Sequence, residues 1–243
     1  MIGAGTQDRP HKMDTVLATV VLVLTVFGVV MVYSAGSERS MLLFGSPHAL
    51  FLNQLSRAVV GLLLMGLTAT LPYRIWRPLA LPALVTALLL LAMIFIGGLG
   101  ESSHGAVRWL RIGPVRFQPS EVAKFALVLF IAAWANQRRE RMSRFGSGIL
   151  VPLGAAGLLA LLIFLQPDFS TSALLIAIAL LLIFLAGAKP LHLAALVGPL
   201  LAVGLLAVRL SPYKWARVQA YLSPHADPNN ASYQMLQSWI GLG

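Results

Sequence analysis

The sequence predicts an all-α, polytopic integral membrane protein with about seven transmembrane helices in its 243 residues. Composition is the first sign: 58% of the residues are hydrophobic, 11% are charged, and the mean hydropathy is +0.82. A soluble chain carries about 25% charged residues. The second is a succession of apolar stretches, each near the ~20 residues that a hydrocarbon core requires. The third is the shortness of the polar segments between them. Any one stretch could be a buried core helix, but seven in a row leave no soluble surface to cover them.

The first stretch, Val16 to Tyr33, follows Arg9, His11 and Lys12 and ends near Ser34-Ala35-Gly36, in the manner of a secretory signal. It is too long for a signal's apolar region and further spans follow, so we read it as an uncleaved span. Ala49 to Leu71 and Leu79 to Ile96 form the next two, with Tyr73 and Trp76 as interfacial anchors between them. The fourth, Phe117 to Asn136, carries Trp134 at its far end. Ile149 to Leu165, Ser172 to Ala188 and Leu193 to Leu210 complete the set, and their Gly and Ala residues permit close helix packing. This gives a domain over 1–210 with seven spans, followed by 211–243 as the start of a large external loop.

The count of basic residues does not by itself choose an orientation, so it is assigned from their densest short run. With the N-terminus inside, Arg9, Lys12, Arg74, Arg77, Arg138, Arg139, Arg141, Arg144 and Lys189 are cytoplasmic, half of the 18 cations. The densest short run, Gln137 to Arg144, is a tight turn of the kind that stays inside. Two cation-rich segments are then left outside against the rule, Arg108 to Arg116 and Arg209 to Arg217. Arginine's planar fork suits phosphate oxygens, so such a cluster can hold a lipid-linked phosphate; attraction to anionic headgroups is the plainer alternative. The sequence pI near 10.9 does not argue for nucleic acid, because the charge is spread over both membrane faces. No cysteine is present and the five histidines lack ligand spacing, so neither disulfide, metal nor cofactor is expected.

The segment before the fourth span is the most informative. Gly113-Pro114 predicts a turn, and Gln118-Pro119 opens a helix with proline at its first position. Ser120 and Glu121 fall in the first turn, where the helix dipole favours a carboxylate. Three-residue spacing puts Gln118, Glu121 and Lys124 on one face, so that Glu121 and Lys124 can pair, as part of a site or simply as an internal ion pair at a helix start.

The run from Gly105-Ala106 through Arg108-Trp109, Ile112-Gly113-Pro114 and Phe117-Gln118-Pro119-Ser120-Glu121 to Ala123-Lys124 closely resembles the signature of the SEDS family, which includes FtsW, RodA and SpoVE. Gln166-Pro167-Asp168-Phe169-Ser170-Thr171 resembles a second family motif, with Ser170 where glycine is usual. A third match runs from Arg217-Val218 through Tyr221-Leu222, Pro224, Asp227-Pro228 and Tyr233-Gln234 to Gln237-Ser238, with Ser232 replacing another glycine and Trp239 where a smaller residue is usual. The resemblance covers nearly the whole chain.

It implies a peptidoglycan glycosyltransferase of about ten spans in the bacterial cytoplasmic membrane. Such an enzyme polymerises lipid II, the undecaprenyl-diphosphate-linked precursor, beside a class B penicillin-binding transpeptidase. Carried onto this sequence, the substrate-binding candidates are Arg108, Gln118, Ser120, Glu121, Lys124, Asp168, Gln237 and Ser238. No catalytic residue carries over. The family's essential aspartate lies in a later segment resembling L-P-E-x-H-T-D-F, and this chain stops at Gly243, so the resemblance implies an N-terminal portion without its base. The carboxylates present have structural readings of their own: Pro167-Asp168 as a helix start, Asp227-Pro228 as a turn, Glu121 as the partner of Lys124. A flippase for the lipid-linked precursor, or a non-catalytic scaffold for the transpeptidase, are the alternative functions. The almost wholly apolar centres of the spans count against a flippase.

Overall fold

The computed structural model describes residues 14–96, 100–103, 106–113, 115–222 and 233–242. Arg9, His11, Lys12, Pro114, Asp227-Pro228 and Ser232, singled out above, lie outside them. The chain falls into two compact units, Met1–Ile75 and Trp76–Gly243.

In the first unit, α1 (Thr15–Phe44) is capped by Asp14, whose carboxylate accepts from the Leu17 amide at 3.0 Å. The helix does not stop near Ser34-Ala35-Gly36 but runs on to Phe44, ending at Gly45 in the left-handed conformation (φ 67°). Gly36 lies beside Leu50 of the second helix, where a β-carbon would sit 3.7 Å away in ordinary contact. The connection to α2 (Ala49–Thr70) is closed by Ser40, fully buried, which donates to the Ser46 carbonyl at 2.6 Å and accepts from the Leu50 amide at 3.2 Å. Tyr33 stacks on His48 and meets Phe51 edge-on. No residue of α2 is buried within the protein, although after Arg57 the helix is almost wholly apolar, as expected where lipid covers it.

The second unit is built on α3 (Tyr73–Met93, which begins in the first unit), α4 (Pro119–Gln137), α5 (Val151–Leu165), α6 (Phe169–Leu185) and α7 (Pro190–Leu210). Its core runs through Ala87 and Leu91 of α3, Ala123 and Leu127 of α4, Leu159 and Ile163 of α5, and Leu175 and Ala179 of α6. Small residues alternate with leucine and isoleucine, which lets the helices approach closely without voids. Pro78 and Pro82 lie inside α3, where a membrane helix tolerates them because neighbours satisfy the freed carbonyls.

All seven predicted stretches are helical. Five helices among the described residues are long and apolar enough to cross a membrane: Thr15–Phe44, Ala49–Thr70, Tyr73–Met93, Phe145–Leu165 and Pro190–Leu210. Phe169–Leu185 is shorter but equally apolar, and α4, with Glu121 and Lys124 in its first turns, lies in the buried core. The protein is therefore a polytopic membrane protein.

Two features differ from the sequence reading. The segment before α4 is not a loop but a small antiparallel sheet in the order β1 (Gly100–Ser103), β2 (Ala106–Ile112), β3 (Val115–Phe117). Ile112 pairs with Val115, so the turn is tight, and Gly113 takes φ 61°, as a two-residue hairpin requires. The segment 211–243 contains α8 (Pro212–Leu222) and α9 (Tyr233–Leu242).

At the opposite end of the second unit, α4 leads into a 3-10 turn (Arg139–Arg141) and a π-helical segment (Phe145–Leu150) that continues as α5. Gly148 is the contact that closes this corner: a β-carbon there would lie 2.5 Å from the Arg141 carbonyl oxygen and 2.6 Å from that of Met142. Gly148→Ala should therefore cost about 1–3 kcal/mol through forced backbone displacement. Thermal unfolding of the detergent-solubilised chain checks this; an unchanged midpoint would contradict the packing described.

Candidate functional site

The period of two along β2 decides where Arg108 goes. Leu110 is buried, and Arg108, two residues before it, shares its face of the strand. Arg111 pairs directly across from Arg116, a like-charge pair, and Arg116 relieves it by stacking over the Trp109 ring at 4.5 Å.

From that position Arg108 reaches the tight turn joining α5 to α6. Its Nε donates to the Gln166 carbonyl at 3.3 Å, another guanidinium nitrogen donates to the Pro167 carbonyl, and its Nη1 stands 3.9 Å from the Asp168 carboxylate. These carbonyls follow the last turn of α5, where no next turn of helix supplies donors. Asp168 is buried and is the N-cap of α6, accepting from the Thr171 amide at 3.2 Å. Pro167 thus precedes the cap instead of occupying the first helical position. The expected helix-start role of Asp168 holds: one carboxylate oxygen caps α6 while the other faces Arg108. Ser172 closes the turn by donating to the Asp168 carbonyl at 2.8 Å.

Gln166 is the residue that the sequence reading did not place in the site. Its side chain is buried and donates from Nε2 to the Leu91 carbonyl at 3.2 Å, tying α3 to the α5–α6 turn. The available signal was a polar residue directly ending an apolar run. Lys214 was counted only among the external cations. It projects from α8 to 3.8 Å from the Phe164 ring and 5.3 Å from that of Phe169, which meet each other edge-on at either end of the same turn. Burial against these rings pushes the Lys214 ammonium below the usual lysine value. Cations from β2 and α8 therefore approach one turn of chain.

Four of the remaining candidates lie at the start of α4. Gln118 is its N-cap residue, without a side-chain cap bond, and Pro119 is the first helical residue, as the sequence predicted. Glu121 and Lys124 form the predicted ion pair, at 2.7 Å, with the carboxylate largely exposed. Ser120 points the other way: it is buried, and its hydroxyl has no hydrogen-bond partner in the protein. Gln237 and Ser238 lie on α9 and are exposed. Among the described residues, no group of three or more histidines and carboxylates is arranged to hold a metal ion.

Gln166→Leu should lower unfolding free energy by about 1–3 kcal/mol, because the Leu91 carbonyl loses its buried donor. Denaturation of the detergent-solubilised variant tests this, and stability equal to the parent would show that the amide is not a tie.

The FtsW/RodA/SpoVE family profile, described as "Cell cycle protein", matches residues 14–243. "Probable peptidoglycan glycosyltransferase FtsW" of Halorhodospira halophila is 36% identical across the whole chain, which spans 63% of that relative's length. The relative of the same name from Geobacter metallireducens is 33% identical over 96% of the chain and 62% of its own length. Among solved structures, a peptidoglycan synthase complex described as coordinating polymerization and crosslinking is 30% identical. It superposes with a TM-score of 0.64 over 89% of this chain and 65% of its own. The rod shape determining protein RodA of Thermus thermophilus is 28% identical, with a TM-score of 0.53 over 75% of this chain and 58% of its own.

Proposed function

The chain belongs to the FtsW/RodA/SpoVE family of cell cycle proteins, multi-pass proteins of the bacterial cytoplasmic membrane, and on that premise we propose that the protein is a peptidoglycan glycosyltransferase. Its substrate in this reading is lipid II, and its product is a lengthening glycan strand at the outer face of the membrane. The observation that carries the reading is the gathering of Arg108 and Lys214 about one turn at the end of an apolar helix bundle. In glycosyl transfer an acceptor hydroxyl attacks the anomeric carbon, the bond to the diphosphate breaks, and negative charge grows on the departing oxygens. Preorganised cations stabilise that charge more in the transition state than in the bound precursor. Arg108 and Lys124 engage phosphate or organise the site, and Glu121 orients Lys124. Gln118, Ser120, Asp168, Gln237 and Ser238 complete the candidate substrate contacts.

The acceptor hydroxyl needs a base, and this chain's carboxylates are poorly suited to that role. Asp168 is committed to Arg108 and to the α6 amides, and Glu121 to Lys124. We assign the base to none of them. The segment from 211 is the start of the external loop in this reading. A class B penicillin-binding transpeptidase is the proposed partner, supported by the likeness to a complex named for coordinating polymerization with crosslinking. Among the described residues, the central buried positions of α5 and α6, among them Ala156, Leu159, Leu175 and Ala179, are apolar, which disfavours a flippase.

Arg108→Ala and Lys124→Ala, made in the protein extended to the length of its relatives, should each reduce polymerisation of a labelled lipid-linked precursor at least roughly tenfold. Undiminished strand formation by both would remove these residues from the site.

A further inference from the structure

The turn between α4 and α5 lies apart from the site described above and is built more firmly than a connecting turn needs to be. It holds Arg138, Arg139, Arg141 and Arg144 within seven residues, opposed by Glu140 alone. Met142 is buried and anchors the turn from within, Gly148 allows the following π-helical segment to lie directly against the Arg141 and Met142 carbonyls, and Trp134 donates from its indole to the Ser147 carbonyl at 3.1 Å. Asn136 to Arg141 line a half-open cavity of about 510 Å³.

The guanidinium of Arg138 lies over the Trp134 ring, 3.6 Å from its centre, while Arg139 and Arg141 are exposed. Trp134 is one turn back on α4, at the level where indole rings collect at a membrane interface. With Trp134 as an interfacial anchor, the cavity is set at the level of lipid phosphates. Its three guanidiniums outweigh one carboxylate, and arginine forks match phosphate oxygens in pairs.

We propose that this cavity is a binding site for the phosphate headgroup of an anionic phospholipid, with Arg139 and Arg141 as the phosphate ligands and Arg138, held over the Trp134 ring, as part of its lining. The ligand chemistry is a phosphate ester, and its depth beside Trp134 selects a lipid over a soluble anion. Diffuse attraction would depend on the number of cations on that face and not on which ones, whereas a built site depends on Arg139 and Arg141 in particular.

The test is native mass spectrometry of the full chain in detergent with added phosphatidylglycerol, and in parallel with inorganic phosphate. Replacing Arg139 by Gln should lower retained phosphatidylglycerol roughly fivefold, and Arg139→Gln with Arg141→Gln correspondingly further. Arg74→Gln with Arg77→Gln, an equal loss of charge from another connection, should leave retention unchanged. Arg139→Lys with Arg141→Lys, which keeps charge but not the fork, should fall between and serves if the neutral double variant does not fold. Equal losses from the 74/77 and 139/141 pairs, or full retention in the lysine variant, would reduce the effect to diffuse charge and overturn the proposal. Displacement of the lipid by millimolar inorganic phosphate would overturn the lipid assignment in favour of a soluble anion.

Discussion

The hydrocarbon core offers no hydrogen bonds, so a helix end turned into the bundle away from water must have its carbonyls and amides satisfied by the protein itself. Arg108 answers that constraint at the α5–α6 turn. One guanidinium supplies donors to two carbonyls that the end of α5 leaves open and faces the only carboxylate at the start of α6. A lysine has the charge but not the geometry for that combination. Gln166 does for α3 what Arg108 does for α5, and the Asp168 carboxylate takes the Thr171 amide at the start of α6. Three neighbouring helix ends thus close upon one polar knot at the end of a largely apolar bundle.

The same knot explains why the candidate site lies at the boundary and not within the bundle. Charge placed at the middle of a span is costly, whereas at its end it is offset by water, helix dipoles and paired groups. The β2–β3 hairpin delivers Arg108 from one direction and α8 delivers Lys214 from another, so the cations come from segments far apart in sequence. Such an arrangement suits a lipid-borne diphosphate, whose tail remains between helices while its head stays at the surface.

The helices were legible because apolar runs of the right length admit little else in lipid. Glu121 and Lys124 were legible because helix spacing alone brings them together. The start of α4 at Pro119 followed from proline's fixed φ and missing donor. The pairing of Arg108 with Asp168 was not legible, since no local period relates residues sixty apart; only the family resemblance placed both in one site. The small sheet was missed because Arg108-Trp109-Leu110-Arg111 reads as a cationic loop until Ile112 is paired with Val115. The helix α1 outruns the apolar stretch Val16 to Tyr33 because an apolar run marks the part suited to lipid and not the end of the helix, which Gly45 sets.

All of this requires that the Arg108 knot and the Arg138–Arg144 turn lie on opposite faces of the membrane. The chain has no cysteine, so single cysteines can report each side without background. Arg111→Cys and Ser143→Cys should be tested in intact spheroplasts with a membrane-impermeant maleimide. The account predicts that the first is labelled in intact cells and the second only after the membrane is opened. Labelling of both from outside would contradict the arrangement on which the site and the lipid cavity are assigned to different faces.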